Sequence, residues 1–468
     1  MPFNSPLFVF LFAPIFFALY LLAKPAWKNL ACLIGSLLFY AWAEPVFAVV
    51  VAASAAVDHW AARVIAASPS ARLRKAAMTL ALVQGVSILL YFKYAAFFYH
   101  TAASILGLGA ASRGWLGPAL PLAISFVIFE KVTYVVDVYR GVGRPARRFS
   151  DYLTYVFLFP KLVAGPIVKY HDIEAALTER RIAPGDFGMG LLRFGAGLAK
   201  KTLIADALAP YADAAFSAPA TALTASNAWL GLIAFTFQIY FDFSAYSDMA
   251  IGLSRMMGFR LMENFDQPYL AVGFGAFWRR WHISLSTWIR DYLFIPLGGS
   301  RRGALATYRN LVVCFLISGL WHGANWTFVV WGLYHGLFIV ADRLGLWALI
   351  RRGGTLLGIA STFLCVMLGW VLFRAPDIGH ALGYFTALAS PGRDAPPVVF
   401  LDQNLIVTLS VAAVLSFTPW RRAKAMIGDG WVGTALSQPA AWLIVGGFGW
   451  GCARMLAVAF NPFLYFRF

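Results

Sequence analysis

The sequence predicts an all-α polytopic membrane protein, and two observations carry that prediction. Of its 468 residues, 60% are hydrophobic and only 13% charged, whereas soluble domains carry about a quarter charged residues. The apolar residues also fall in repeated runs long enough to cross a bilayer. A third feature, the placement of charge, orients those runs. The formal net charge is +17, from 38 basic and 21 acidic residues. In a soluble chain that surplus would suggest nucleic acid. Here the basic residues sit in short loops between apolar runs, as the positive-inside rule requires. They read first as topology signals and second as anion sites. Membrane lipid is the expected partner, and nucleic acid is not.

Taken in order, spans are expected near 7–23, 29–42, 46–66, 77–99, 119–138, 187–208, 229–253, 311–325, 326–341, 355–374, 402–418 and 440–460, about a dozen in all. The first, within MPFNSPLFVFLFAPIFFALYLLAK, lacks a basic n-region and reads as a retained span rather than a secretory signal. Lys24 and Lys28 follow it, Arg72, Arg74 and Lys75 follow the third span, and Arg140, Arg144, Arg147 and Arg148 follow the fifth. The loop after the second holds only Glu44, so the N-terminus is expected outside and the basic loops in the cytoplasm. Arg421, Arg422 and Lys424 continue the pattern.

Two segments depart from it. Residues 151–170, DYLTYVFLFPKLVAGPIVKY, are interrupted by Pro160, Gly165 and Pro166, which would break a straight helix. Non-helical backbone at membrane depth must be buried in protein or line a water-filled cavity, so a broken or re-entrant element is expected. Residues 264–310 form the longest cytoplasmic stretch. Within it, FWRRWHISLSTWIRDYLFIPLGG is too polar to span and too apolar to float free, which fits an interfacial or partly buried helix. The cysteines, Cys32, Cys314, Cys365 and Cys452, lie singly in apolar runs with no CxxC or Cys/His spacing. Neither a disulfide framework nor a metal site is expected.

Three constellations could carry chemistry. Arg279, Arg280, Arg290, Arg301 and Arg302 make a dense cationic cluster in 277–303. Arginine grips phosphate with paired donors, and Gly298 and Gly299 would let backbone amides approach an anion. The cluster could hold a phosphorylated carrier such as coenzyme A, or it could be a surface helix with topology arginines. His282 lies there among Trp278, Trp281 and Trp288, a setting that also suits a histidine capping an aromatic cluster. Second, LISGLWHGANWTFVVWGLYHG, residues 316–336, carries His322 and His335. Gly323 and Asn325 interrupt the helix beside His322, and a polar residue at membrane depth is a functional candidate by default. Neutral imidazole can take a proton and return it near pH 7. The alternative is a histidine bonded to a nearby carbonyl. His335, in unbroken helical context, reads as packing. Third, QIYFDFSAYSDMAIGL places Asp242 and Asp248 inside an apolar span. Pairing with the arginines of the next segment, to hold the fold, is the expected role.

FWRRWHISLSTWIRDYLFIPLGG followed by LWHGANWTFVVWGLYHG resembles the membrane-bound O-acyltransferase (MBOAT) family, in particular its bacterial polysaccharide-acetylating members. LLFYAW, YFKYAAF, PLAISFVIFE, YVVDVYRG, AGPI, MENFDQPY and the terminal NPFLYFRF extend the resemblance along nearly the whole chain. The resemblance implies one integral membrane domain, 1–468, with N-terminal helices to about 140, a catalytic core of about 150–345 and C-terminal helices from about 355. It implies helices around a through-membrane tunnel, a multi-pass protein of the bacterial inner membrane, and no permanently bound cofactor. Acetyl-CoA would be the acyl donor, bound near Trp278, Arg279, Arg280, Arg290, Gly298, Gly299 and Arg301. The family's near-invariant histidine matches His322 and its second polar catalytic position matches His282. Acetyl would pass to a periplasmic acetyltransferase partner and the exopolysaccharide machinery, with alginate the first expected polymer. Cellulose, teichoic acid or another acceptor is the alternative within that chemistry, and a transporter the alternative outside it. Alginate members read FPH before the AGP element, whereas this chain reads FPK with Lys161, so the match speaks more to the enzyme class than to the polymer.

Overall fold

Runs of Leu, Val, Ala and Phe in hydrocarbon can satisfy their own backbone only as helix, and helix is what they adopt. The computed structural model describes every residue except 109–114, 116, 391–395, 420–430, 459–460 and 465–468, with backbone only for 431–437. Arg421, Arg422 and Lys424 lie outside the described residues. Among the described residues there is no β-strand. Among the described residues, six helices are long and apolar enough to cross a membrane, or seven if Trp326–Arg343 and Leu346–Gly353, bent by 61°, form one span. The other expected spans are shorter helices. Lys28–Ala41, Ile124–Arg140 and Gln403–Phe417 have 14, 17 and 15 residues. At about 1.5 Å per residue these fall short of a hydrocarbon core of about 30 Å.

The chain divides into two compact units, one of Met1–Phe194 with Met249–Met262, the other of Gly195–Asp248 with Glu263–Phe468. The first contains α1 (Phe8–Leu22), α2 (Lys28–Ala41), α3 (Pro45–Ala67), α4 (Ala71–Ile105), α5 (Ile124–Arg140), α6 (Phe149–Phe157) and α7 (Tyr170–Thr178). The expected broken element is present. After α6, Leu158 leaves helical geometry, one turn covers Phe159–Leu162, and a non-helical stretch leads to α7. A methyl at Gly165 would stand 2.6 Å from the Lys161 Cα and 2.8 Å from the Pro160 carbonyl, so the chain doubles back too tightly for any side chain there. Phe159 fills the turn, with Phe16 at 5.1 Å and Phe12 edge-on at 5.5 Å between ring centroids. Two buried ion pairs cross this unit: Lys161 with Glu130, and Lys131 with Asp58 at 2.5 Å, where Asp58 also accepts from the Tyr152 hydroxyl.

In the second unit, a π-helical turn, Lys200–Ala205, leads into α8 (Asp206–Ser217). It is followed by α9 (Ala225–Met256), which extends past the unit boundary, α10 (Phe274–Trp278), α11 (Ile283–Ile289), α12 (Ala304–His322), α13 (Trp326–Arg343), α14 (Thr355–Arg374), α15 (Ile378–Ala389) and α16 (Gln403–Phe417). Asp242 and Asp248 do hold the fold, and lysines close in sequence to one another, rather than only the arginines expected, are among their partners. Lys201 Nζ lies 2.7 Å from Asp242 and 2.7 Å from Asp206, and Lys200 Nζ 2.5 Å from Asp248. Both lysines stand at the start of that π turn. Residues 461–464 close the site: Leu464 N–H donates to Asp242, Asn461 to Asp206, and the Pro462 carbonyl accepts from Lys201.

Helices α12 and α13 form a hairpin whose backbones nearly touch. A methyl at Gly319 would strike the Phe328 carbonyl, and one at Gly332 the Phe315 carbonyl. Small residues at such crossings let membrane helices pack closely. The expected interfacial helix of 277–299 is instead two short helices, α10 and α11, broken by a turn at residues 279–282. The break exists because residues 264–266 pair with that turn: Ile283 N–H donates to the Asn264 carbonyl at 3.0 Å and Asp266 N–H to the Arg280 carbonyl at 2.9 Å.

Candidate active site

The local sequence places each histidine. Helix α12 ends on His322 because Gly323 takes an extended backbone (φ −164°, ψ 150°) and Asn325, one residue after Ala324, caps α13 by accepting from Thr327 N–H. His322 therefore stands at the interruption the sequence indicated. His282 lies in the turn before α11 with φ 44° and ψ 55°. Few residues other than glycine accept this left-handed geometry, and here the pairing with 264–266 imposes it.

The two rings come together, with centroids 6.5 Å apart. His282 is fully buried and His322 is 6% exposed. Aromatic rings enclose them. Phe243 meets His282 edge-on at 4.6 Å, while Trp331 and Phe373 meet His322 at 5.1 and 5.2 Å. Burial lowers the His282 pKa to about 3, so its imidazole stays neutral at any physiological pH.

Asn264 fixes the tautomer of that neutral ring. Its Oδ1 accepts from Ser284 N–H at 3.2 Å and from the Ser284 hydroxyl at 2.9 Å, while Nδ2 donates to the Ser247 hydroxyl at 3.1 Å. A backbone amide can only donate, so the Asn264 atom facing it is the oxygen. His282 Nδ1, 3.2 Å from the same oxygen, must then carry its proton. Nε2 is left with a lone pair and can only accept.

The same helices line a cavity of about 460 Å³, a size typical of small-molecule sites, although neither His282 nor His322 is among its lining residues. Leu285, Ile289, Leu311, Cys314, Phe315 and Ile339 form apolar walls, and Arg279, Arg290, Arg343 and Asp342 are its charged lining residues. Ser318 lines it too, and His322 follows one helical turn later on α12. Trp278 forms part of the wall. A largely apolar lining that also carries three guanidinium groups suits a ligand with an anionic head and an uncharged tail.

Of the residues singled out from sequence, Trp278, Arg279 and Arg290 line the cavity. Arg280, Gly298, Gly299 and Arg301 are not among its lining residues. Arg280 points to the Gln267 carbonyl, Arg301 is exposed, and the Gly299 carbonyl accepts from Asn310. Gly298 and Gly299 do adopt left-handed backbone, at φ 108° and 56°. His335 lies within α13, fully buried, with Trp331 at 4.6 Å and Trp278 at 5.1 Å. Neither of its ring nitrogens has a hydrogen-bond partner among the described residues, so ring packing holds it. Sequence reasoning missed Asn264, Ser318, Asp342 and Arg343. Asn264 did leave a signal, a polar residue just before the histidine-bearing aromatic segment.

The profile of MBOAT, the membrane-bound O-acyltransferase family, matches residues 147–348, a range that contains both histidines and the whole cavity lining. The chain is 43% identical to a protein of Azotobacter vinelandii named "Probable alginate O-acetylase AlgI", over 89% of this chain and 83% of that one. It is 40% identical to the protein of that name in Pseudomonas putida over the full length of both. It is 36% identical to the "Peptidoglycan O-acetyltransferase" of Helicobacter pylori, over 81% of this chain and 78% of that one.

Proposed function

The chain belongs to the membrane-bound O-acyltransferase family, is an O-acyltransferase, and is a multi-pass membrane protein; from that premise we propose that it passes acetyl from cytoplasmic acetyl-CoA across the bacterial inner membrane for O-acetylation of a secreted polysaccharide, alginate first. The observation that carries the reading is the pairing of His282 and His322, with Ser318, one helical turn before His322, lining a largely apolar cavity that also carries three arginines. Relatives named for alginate and peptidoglycan acetylation support a polysaccharide acceptor.

Coenzyme A would lie with its phosphates at Arg279, Arg290 and Arg343 and its thioester directed past Ser318 toward His322. A neutral His322 takes the proton from the acceptor hydroxyl as that oxygen attacks the thioester carbonyl carbon. The carbon–sulfur bond then breaks, and the proton passes from His322 to the departing thiolate. His282 plays an orienting part. Its Nε2 only accepts, so it aligns an O–H or N–H group in the site and does not donate to the developing oxyanion. A periplasmic acetyltransferase partner would complete delivery to the polymer.

The test uses purified protein in lipid vesicles with acetyl-CoA. His322→Ala is expected to abolish thioester cleavage and, in cells, polymer acetylation, with expression and membrane insertion intact. Substantial acetylation by the variant would overturn the assignment. The peptidoglycan-named relative keeps a second acceptor in view, and the polymer that loses acetyl groups in the variant strain identifies the acceptor.

A further inference from the structure

We infer that the groove between the C-terminal end of α3 and the loop after α5 is a binding site for one anionic glycerophospholipid. It lies wholly in the first unit and takes no part in the proposed chemistry.

The exposed face of α3 carries the argument. Val46, Val49, Ala53, Ala56, Trp60, Arg63 and Ala67 are all exposed, at the three-and-four spacing of one helical stripe. Val46 is 78% exposed, Val49 69% and Trp60 52%. Along its length the stripe passes from aliphatic side chains to an indole to a guanidinium. A phospholipid passes through the same sequence along its own axis: acyl chain, interface and phosphate. At the guanidinium end the stripe opens into a groove of about 690 Å³ lined by Trp60, Arg63, Val64, Ala67, Pro145 and Arg147. Among the described residues, no acidic side chain lines it.

Both arginines are available. Arg63 and Arg147 are exposed and make no hydrogen bond or ion pair among the described residues. Arg74, in the same unit, is engaged: it lies over the Tyr139 ring and donates to the Tyr139 carbonyl. Two unengaged guanidiniums facing one groove offer paired donors to a phosphate diester. The apolar stripe that continues from them offers a track for an acyl chain. A free phosphate would use only the first of these features, so a lipid accounts for the whole site.

The experiment is native mass spectrometry of the full chain in detergent, titrated separately with phosphatidylglycerol and phosphatidylcholine. Wild type is expected to retain one phosphatidylglycerol in preference to phosphatidylcholine. R63Q/R147Q is expected to bind it about tenfold or more weakly, since each basic residue near a membrane surface is worth a large factor in affinity. R63K/R147K keeps the charge but loses the paired donors, and should fall between. An unchanged elution profile and thermal midpoint establish that the variants are folded. Equal retention of phosphatidylglycerol by R63Q/R147Q, or equal retention of both lipids by wild type, overturns the site. Displacement of the bound lipid by inorganic phosphate alone would make it a simple anion site and overturn the lipid assignment.

Discussion

Asn264→Ala should slow acyl transfer without weakening donor binding. Asn264 is 1% exposed, and three hydrogen bonds end on its Oδ1, from Ser284 N–H, the Ser284 hydroxyl and His282 Nδ1. A buried hydrogen bond contributes a net of about 1 kcal/mol, so their loss should cost about 3 kcal/mol of stability. The imidazole's share, about 1 to 1.5 kcal/mol, is what holds the ring in position with its lone pair on Nε2. Released at that cost, the productive orientation becomes roughly tenfold rarer, and kcat should fall by about that factor. The KM for acetyl-CoA should hold, because Asn264 does not line the cavity. Thioester cleavage by reconstituted protein, measured across donor concentrations, gives both parameters. In a cycle with His282→Ala, the double variant should be no slower than His282→Ala alone. An undiminished kcat for Asn264→Ala, or losses that multiply in the double variant, would refute the tautomer argument.

Four further outcomes follow from the same geometry. Lys201→Met, which strips Asp242 of its buried cation, should cost about 3–5 kcal/mol; adding Asp242→Asn should restore part of the loss, as read by denaturant or thermal unfolding. Acid should destabilise the protein through His282. Its folded pKa of about 3 lies below the unfolded 6.5, so the unfolded chain binds more protons between those values and stability falls as pH drops below about 6.5. The cost nears 2 kcal/mol at about pH 5, and His282→Asn should flatten that slope in a series of unfolding midpoints. Gly332→Ala should push α12 from α13, costing about 1–3 kcal/mol and reducing turnover by displacing His322. Arg279→Ala with Arg343→Ala should raise the KM for acetyl-CoA roughly tenfold or more while kcat changes little, as expected for contacts to the donor's phosphates.

What the sequence revealed depended on the range of the interaction. His322 was legible because its helix ends for a local reason, the glycine and asparagine that follow at once. The break at Pro160 and Gly165 was legible for the same reason. The partners of Asp242 and Asp248 were not, because Lys200 and Lys201 lie more than 40 residues away in the chain. His282 could be named from its motif, but its neutral state depends on burial and its tautomer on Asn264, 18 residues earlier. The arginine cluster shows a different limit. Composition gave its charge but not its directions, and of Arg279, Arg280, Arg290 and Arg301 only Arg279 and Arg290 face the cavity.

The clamp on Asp242 also orders events during synthesis. Its second oxygen is held by the Leu464 amide, 222 residues later, and Asn461 and Pro462 complete the neighbouring contacts to Asp206 and Lys201. While a ribosome is still extending the chain, these three charged side chains already sit among apolar helices and must keep water or each other for company. Only when residues 461–464 have emerged can the cluster shed that water and lock. The second unit should therefore mature late, and a nascent chain stalled before residue 461 should be more open to protease than the finished one.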